Sequence, residues 1–177
     1  MINSSTFLIG TSDLSDHSLR LGSRALADAL GITLIQHFSY EEPLKVLRNL
    51  GEEKVLVCLS GDVAMSMVGG GSWLETLGSW RIPTVLMVEP LSSGHISGSA
   101  AAYASLSASL GVPLLGLVQL GEPWEEEIRR LDGLPWSGYI PGSALNDVEV
   151  SLDLNRITDK NLLEVVACLR NRVGAIL

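Results

Sequence analysis

Apolar and polar residues fall along this chain in blocks rather than singly. Short apolar runs at 6–10 (TFLIG), 32–36 (ITLIQ), 54–59 (KVLVCL), 83–88 (PTVLMV), 113–119 (PLLGLVQ) and 136–140 (WSGYI) predict strands. Between them, patterns around 19–30, 42–50, 72–80, 96–110 and 122–132 predict helices. A last helix is expected at 159–173, where Leu162, Leu163, Val166 and Leu169 form one stripe. Gly31 and Gly111 stand where helix C-terminal glycines belong, and Pro83 and Pro113 open strands, where a missing ladder donor is tolerated. Runs apolar throughout are buried on both faces, which points to parallel pairing. Strand then helix, repeated without a linker, predicts one α/β domain over residues 1–177. Its expected form is a doubly wound, mostly parallel sheet of about six strands with helices on both faces.

Composition narrows this further. Mean hydropathy is +0.31, yet no apolar run approaches the roughly 18 residues a membrane span needs, so the excess is assigned to a buried sheet and no membrane partner is expected. The opening MINSSTFLIG lacks a basic segment followed by a long apolar one, and Cys58 and Cys168 make neither a disulfide framework nor a metal cluster; a cytoplasmic setting is expected. Net charge is −8, and the only adjacent basic pair, Arg129–Arg130, follows three glutamates, so nucleic acid is not an expected partner.

In open parallel sheets ligands bind beyond the carboxyl ends of the strands. That directs attention to loops 10–18, 60–72, 89–96, 119–124 and 141–146. A hydrolase would need a nucleophile on a strained elbow, but no G-x-S-x-G occurs, and Ser60 in CLSGD is the nearest imitation. His95, between Gly94 and Ile96, sits in a strand-to-helix loop and is the histidine best placed for a ligand. Trp73, Trp80, Trp124 and Trp136 are read as loop anchors or, grouped with Tyr139, as part of a partner surface.

Residues 77–141 carry a more specific pattern. Pro83 to Val88 is followed by Gly94-His95-Ile96, then a small-residue helix, then Gly116-Leu117-Val118, and finally Gly138 to Pro141. This resembles the second half of dethiobiotin synthetase and its P-loop relatives, and residues 7–30 resemble the family's opening strand, loop and helix. The resemblance implies a P-loop NTPase-like fold, a homodimer, and an ATP- and Mg-dependent carboxylase-ligase of biotin synthesis. The family's phosphate loop reads G-T-D-T-x-x-G-K-T. Laid on this chain it covers Gly10 to Ser18: Gly10, Thr11 and Ser18 match, while Asp16 replaces the second glycine and His17 the lysine. Shifting the register to Gly22-Ser23 still supplies no lysine. The adenine-reading asparagine becomes Leu120, a loop basic residue becomes Ser92, and the Mg-binding segment after the third strand survives only as Asp62 and glycines 69–71.

These departures act in one direction. A glycine at that point of the loop permits close backbone approach that Asp tolerates poorly, and Asp13 with Asp16 adds negative charge where the lysine would offset it. Losing one such charge contact costs on the order of 2–5 kcal/mol, enough to turn micromolar ATP binding into about millimolar. For Asp13, Asp16 and Asp62 two readings stand: capping of the following helix by Asp13 and Asp16, or one Mg ion held where the loops converge. His17 is either a solvated helix-start residue or a phosphate contact. The expectation is a non-catalytic binding or regulatory protein with no cofactor and no resident metal, meeting a small molecule or a protein partner. Its candidate crevice is Asp62, Ser92, Gly94, His95 and Pro141, beside the degenerate loop of Gly10, Thr11, Asp13, Asp16, His17 and Ser18. The alternative is an ATP- and Mg-dependent ligase with a nonstandard loop. The run 93–111 predicts a smooth helix around Ala100, Ala101, Ala104 and Ala108, which either pairs two copies or lies flat on its own sheet.

Overall fold

The computed structural model describes residues 5–51, 53–145 and 159–176. Residues 1–4 of the opening segment and residue 146 of the last candidate loop lie outside them. Elements alternate as expected: β1 (Thr6–Gly10), α1 (Asp16–Leu30), β2 (Leu34–Phe38), α2 (Pro43–Asn49), β3 (Leu56–Ser60), α3 (Trp73–Ser79), β4 (Thr84–Val88), α4 (Gly98–Ser109), β5 (Leu114–Leu120), α5 (Glu126–Leu131), β6 (Trp136–Ile140) and α6 (Lys160–Ile176). A single 3-10 turn at Gly142–Ala144 follows β6.

All six strands form one sheet in the order β2-β3-β1-β4-β5-β6, and every pairing is parallel. The chain leaves β1 toward β2 and from there moves steadily in the opposite direction. Right-handed crossovers therefore put α1 on one face and α2 to α5 on the other, the doubly wound arrangement. Two cores result. Phe7 and Ile9 of β1 join Val46, Leu47, Trp73, Leu74 and Leu77 on the α2–α3 face. Leu8 joins Leu19, Leu26, Val165 and Leu169 on the face covered by α1 and α6. α1 lies close on its face because Gly22 has no Cβ; one built there would stand 2.6 Å from Leu120 Cδ2.

Boundaries move where local chemistry competes with hydrophobicity. The second strand begins at Leu34 rather than at 32, because Ile32 donates its N–H to Ala27 O and so closes the end of α1 beyond Gly31. α5 starts at Glu126 rather than at 122, since residues 121–124 form a turn whose Gly121 and Pro123 carbonyls accept from Gln119 Nε2 at 2.8 Å. The Glu122–Pro123 peptide is cis. α4 lies on its own sheet through Ala100, Tyr103 and Ser107 and leaves Ala101 and Ala108 exposed. Among the described residues no helix is long and apolar enough to cross a membrane.

Candidate functional site

β1 sits in the middle of the sheet, and chain direction reverses on its two sides, so the crevice predicted by topology lies over its carboxyl end. A cleft of about 250 Å³ is present there, lined by Gly10, Thr11, Ser12, Leu14, Asp16, Leu19, Gly61 and Asp62. The β1–α1 connection that forms one wall is a tight turn. Leu14 N–H donates to Thr11 O at 3.0 Å, and Thr11 N–H donates to Met87 O of β4 at 3.3 Å. Leu14 folds back over the strand end, so a Cβ at Gly10 would stand 2.9 Å from Leu14 Cδ2.

Arg81 is the one non-glycine residue with positive φ among the described residues, so none lies in the turn between Gly10 and α1. An anion-cradling nest requires successive N–H groups to converge, which the alternation of right- and left-handed residues produces. This turn lacks that alternation.

The carboxylates nearby are already engaged. Asp16 Oδ1 accepts from Gly61 N–H at 3.0 Å and ties the start of α1 to the loop after β3. Asp62 Oδ1 accepts from Ala64 N–H at 2.9 Å and from the Tyr103 hydroxyl at 2.5 Å. Burial, then the bond to Asp62 and its charge, push the Tyr103 hydroxyl well above the usual phenol range, so it stays protonated and donates. Asp13 Oδ1 accepts from Ser99 Oγ at 2.6 Å. Burial pushes the Asp13 carboxyl up, but hydrogen bonds from Ser99, Thr11, Ser97 and its own backbone outweigh that and hold it below its ordinary value of 3.8.

The capping expectation is corrected here. Ser15, in extended conformation, caps α1 by accepting Ser18 N–H at 3.0 Å. Asp16 is already helical and Asp13 precedes the cap, so their side chains reach across to neighbouring loops instead.

The predicted residues divide into separate places. Gly10, Thr11, Asp16 and Asp62 meet in the cleft, with Asp13 beside it on the α4 side. Ser18 belongs to the cap. His17 is exposed and faces another groove, of about 310 Å³, with Arg20, Leu21, Arg24, Leu34, Gln36 and Cys58. Ser92 and His95 are exposed in a loop closed by Leu91 N–H to His95 O at 2.8 Å. Pro141 follows β6, three strands from β1, a separation of roughly 14 Å at the usual strand spacing. Gly94 belongs to a different network: its carbonyl accepts from Arg129 Nη2 at 2.7 Å, while Arg129 Nε donates to Gln119 Oε1 at 2.9 Å.

Sequence reasoning missed several of these. Tyr103 carries a weak signal, being the one aromatic side chain in a run of mostly small ones. Arg129 is 3% exposed, although its place at the end of EEEIRR reads as a solvated charge complementing the helix dipole. It stacks against Trp136 at 5.3 Å and Trp124 at 5.9 Å, and Trp124 in turn stacks on Tyr139. Only the fold makes these aromatics neighbours of Arg129.

The cleft thus offers hydroxyl and carboxylate acceptors and lacks a basic side chain in its lining. Its carboxylates repel phosphate. No family model matches this chain, and no curated protein is significantly similar to it.

Proposed function

We propose that this chain is a non-catalytic binding or regulatory protein, acting as a homodimer, on a scaffold similar to dethiobiotin synthetase whose ATP site is lost. The observation that carries the reading is the turn after β1. It has no left-handed residue, fills its concave side with Leu14, and stands beside Asp13, Asp16 and Asp62 where a phosphate loop would present N–H groups and a lysine. The position that matches the family's lysine, His17, lines a different groove and so cannot serve the cleft from where it stands.

A ligand that binds only the native state raises its stability, by about 2.7 kcal/mol at a hundredfold excess over its dissociation constant. Thermal unfolding with about 1 mM Mg-ATP, Mg-ADP or diaminopelargonate should therefore shift the midpoint by no more than about 2 °C. A rise with Mg-ATP that is enlarged by diaminopelargonate would point instead to the ATP-dependent ligase.

A further inference from the structure

The groove that His17 faces differs in charge from the cleft over β1. Its walls carry Arg20 and Arg24 of α1, and among the described residues its lining holds no acidic side chain. Positions 17, 20, 21 and 24 fall within about 100° of the helix circumference, so one face of α1 presents all four. Leu34 and Gln36 of the edge strand complete the lining, with Cys58 of β3 in register beside Gln36. Its volume of about 310 Å³ reaches the range of small-molecule sites, roughly 300–1,000 Å³.

The charge in this groove is unmatched. Arg81, Arg129, Arg130 and Arg172 each donate to a protein oxygen. Among the described residues Arg20 and Arg24 make no hydrogen bond or ion pair. Two acids lie near on the same helix. Asp16 turns away to accept from Gly61 N–H at 3.0 Å, and Asp28, one turn beyond Arg24, forms no ion pair with it. Cys58 is 1% exposed, and burial pushes its thiol up, so it stays neutral and adds no charge to the floor. On a chain of net charge −8, two unpaired guanidiniums in one groove make a local positive field that attracts anions.

We propose that this groove binds a small aliphatic dicarboxylate, one carboxylate on the fork of Arg20 and the other on that of Arg24. A guanidinium matches a carboxylate through two parallel N–H donors, a geometry that a point charge lacks. Side chains one helical turn apart start about 5–6 Å from each other, a span that about three or four methylene groups bridge at ordinary C–C bond lengths. Leu21 and Leu34 offer apolar surface to those methylenes, and the Gln36 amide supplies a further donor. A single phosphate would meet the charge but leave both leucines uncovered, so the leucines favour the diacid. The inference goes beyond the preceding reading and holds whether or not the cleft over β1 takes nucleotide.

The probe is glutarate, a five-carbon diacid with both carboxyls ionised at neutral pH, followed by amide NMR shifts of the intact chain. Shifts at residues 17–24 and 34–36 should saturate with a dissociation constant below about 1 mM. Pentanoate, of the same length with one carboxylate, should bind at least about tenfold more weakly. Arg20 and Arg24 are exposed, so Arg20→Gln and Arg24→Gln should fold as the parent does, checked by circular dichroism. Each should weaken glutarate by at least about tenfold, while Arg48→Gln, exposed on α2 outside the groove, should leave it unchanged. No saturation by about 10 mM glutarate, pentanoate or inorganic phosphate binding as tightly as glutarate, or an Arg48→Gln loss equal to that of Arg24→Gln would each overturn the inference. These shifts are read away from residues 10–13 and 61–62, so their failure leaves the reading of the cleft standing.

Discussion

Replacing Arg129 with Met tests whether a buried guanidinium organises the carboxyl edge of the sheet. The side chain is 3% exposed and donates to Gly94 O at 2.7 Å and to Gln119 Oε1 at 2.9 Å, with no carboxylate among its direct partners. Burial lowers its affinity for the proton, while Asp132 and Glu125 nearby oppose that shift. Methionine keeps much of the volume but leaves two acceptors unpartnered and removes both contacts with tryptophan faces. Charge-assisted hydrogen bonds contribute about 1.5–3 kcal/mol each, and two cation–π contacts add about 0.5–1 kcal/mol apiece. Against these stands the cost of desolvating the guanidinium, several kcal/mol, which methionine avoids. The expected net loss is about 3 kcal/mol. For a chain of this length that lowers the melting temperature by roughly 6–12 °C. Arg129→Lys should recover only a minor part, since an ammonium cannot serve two acceptors set apart as the planar fork does. Urea unfolding followed by circular dichroism measures both variants. A loss under about 1 kcal/mol for Met, or parent-like stability for Lys, would refute the reasoning.

Two further predictions concern the chain's own geometry. Gly116 has φ of +145°, and a Cβ there would fall 2.2 Å from Arg172 Nη1 and 2.7 Å from the Pro135 carbonyl oxygen, so Gly116→Ala should cost at least about 2 kcal/mol, while Gly69→Ala, with nothing within 4 Å, should cost under about 1 kcal/mol; the same urea assay compares them. Asp13 is held below its ordinary value of 3.8, so its contribution to stability is complete above that value and is lost as pH falls through the lower folded value. Ser99→Ala removes the strongest of the lowering hydrogen bonds and should raise the Asp13 midpoint in a carbon-detected NMR titration, and an unchanged midpoint would count against the bond's role.

The fold was legible because its strands are apolar on both faces and its helices end in recognisable punctuation. TFLIG, VLVCL and VLMV have no polar interior position, which leaves parallel pairing under helices as their stable arrangement. Boundaries were less legible where a residue had two uses. Ile32 has the hydropathy of a strand residue but spends its N–H on closing α1. The site was legible only in part. Loop residues near β1 and β3 were found because topology fixes where crevices form, and Asp16 and Asp62 do line one. His17 stands as an exposed helix-start histidine, and the motif alignment could not show its helical phase: one residue after Asp16, it is turned about 100° around α1 toward a second groove. Arg129 stayed hidden because a guanidinium without a carboxylate partner reads as surface, and its partners, Gly94 O and Gln119 Oε1, are distant in sequence or generic in type.

The account turns on the claim that the cleft over β1 does not hold nucleotide phosphates. Isothermal titration of the intact chain with Mg-ATP addresses it most directly, with Asp16→Gly/His17→Lys titrated beside it. The β1–α1 turn has no left-handed residue and position 17 faces away from the cleft, so restoring the two side chains does not restore the path of the loop. The parent should show a dissociation constant of about 1 mM or weaker, and the double variant should gain less than about tenfold. A constant of a few micromolar for the parent, about 8 kcal/mol of binding free energy, would contradict the account.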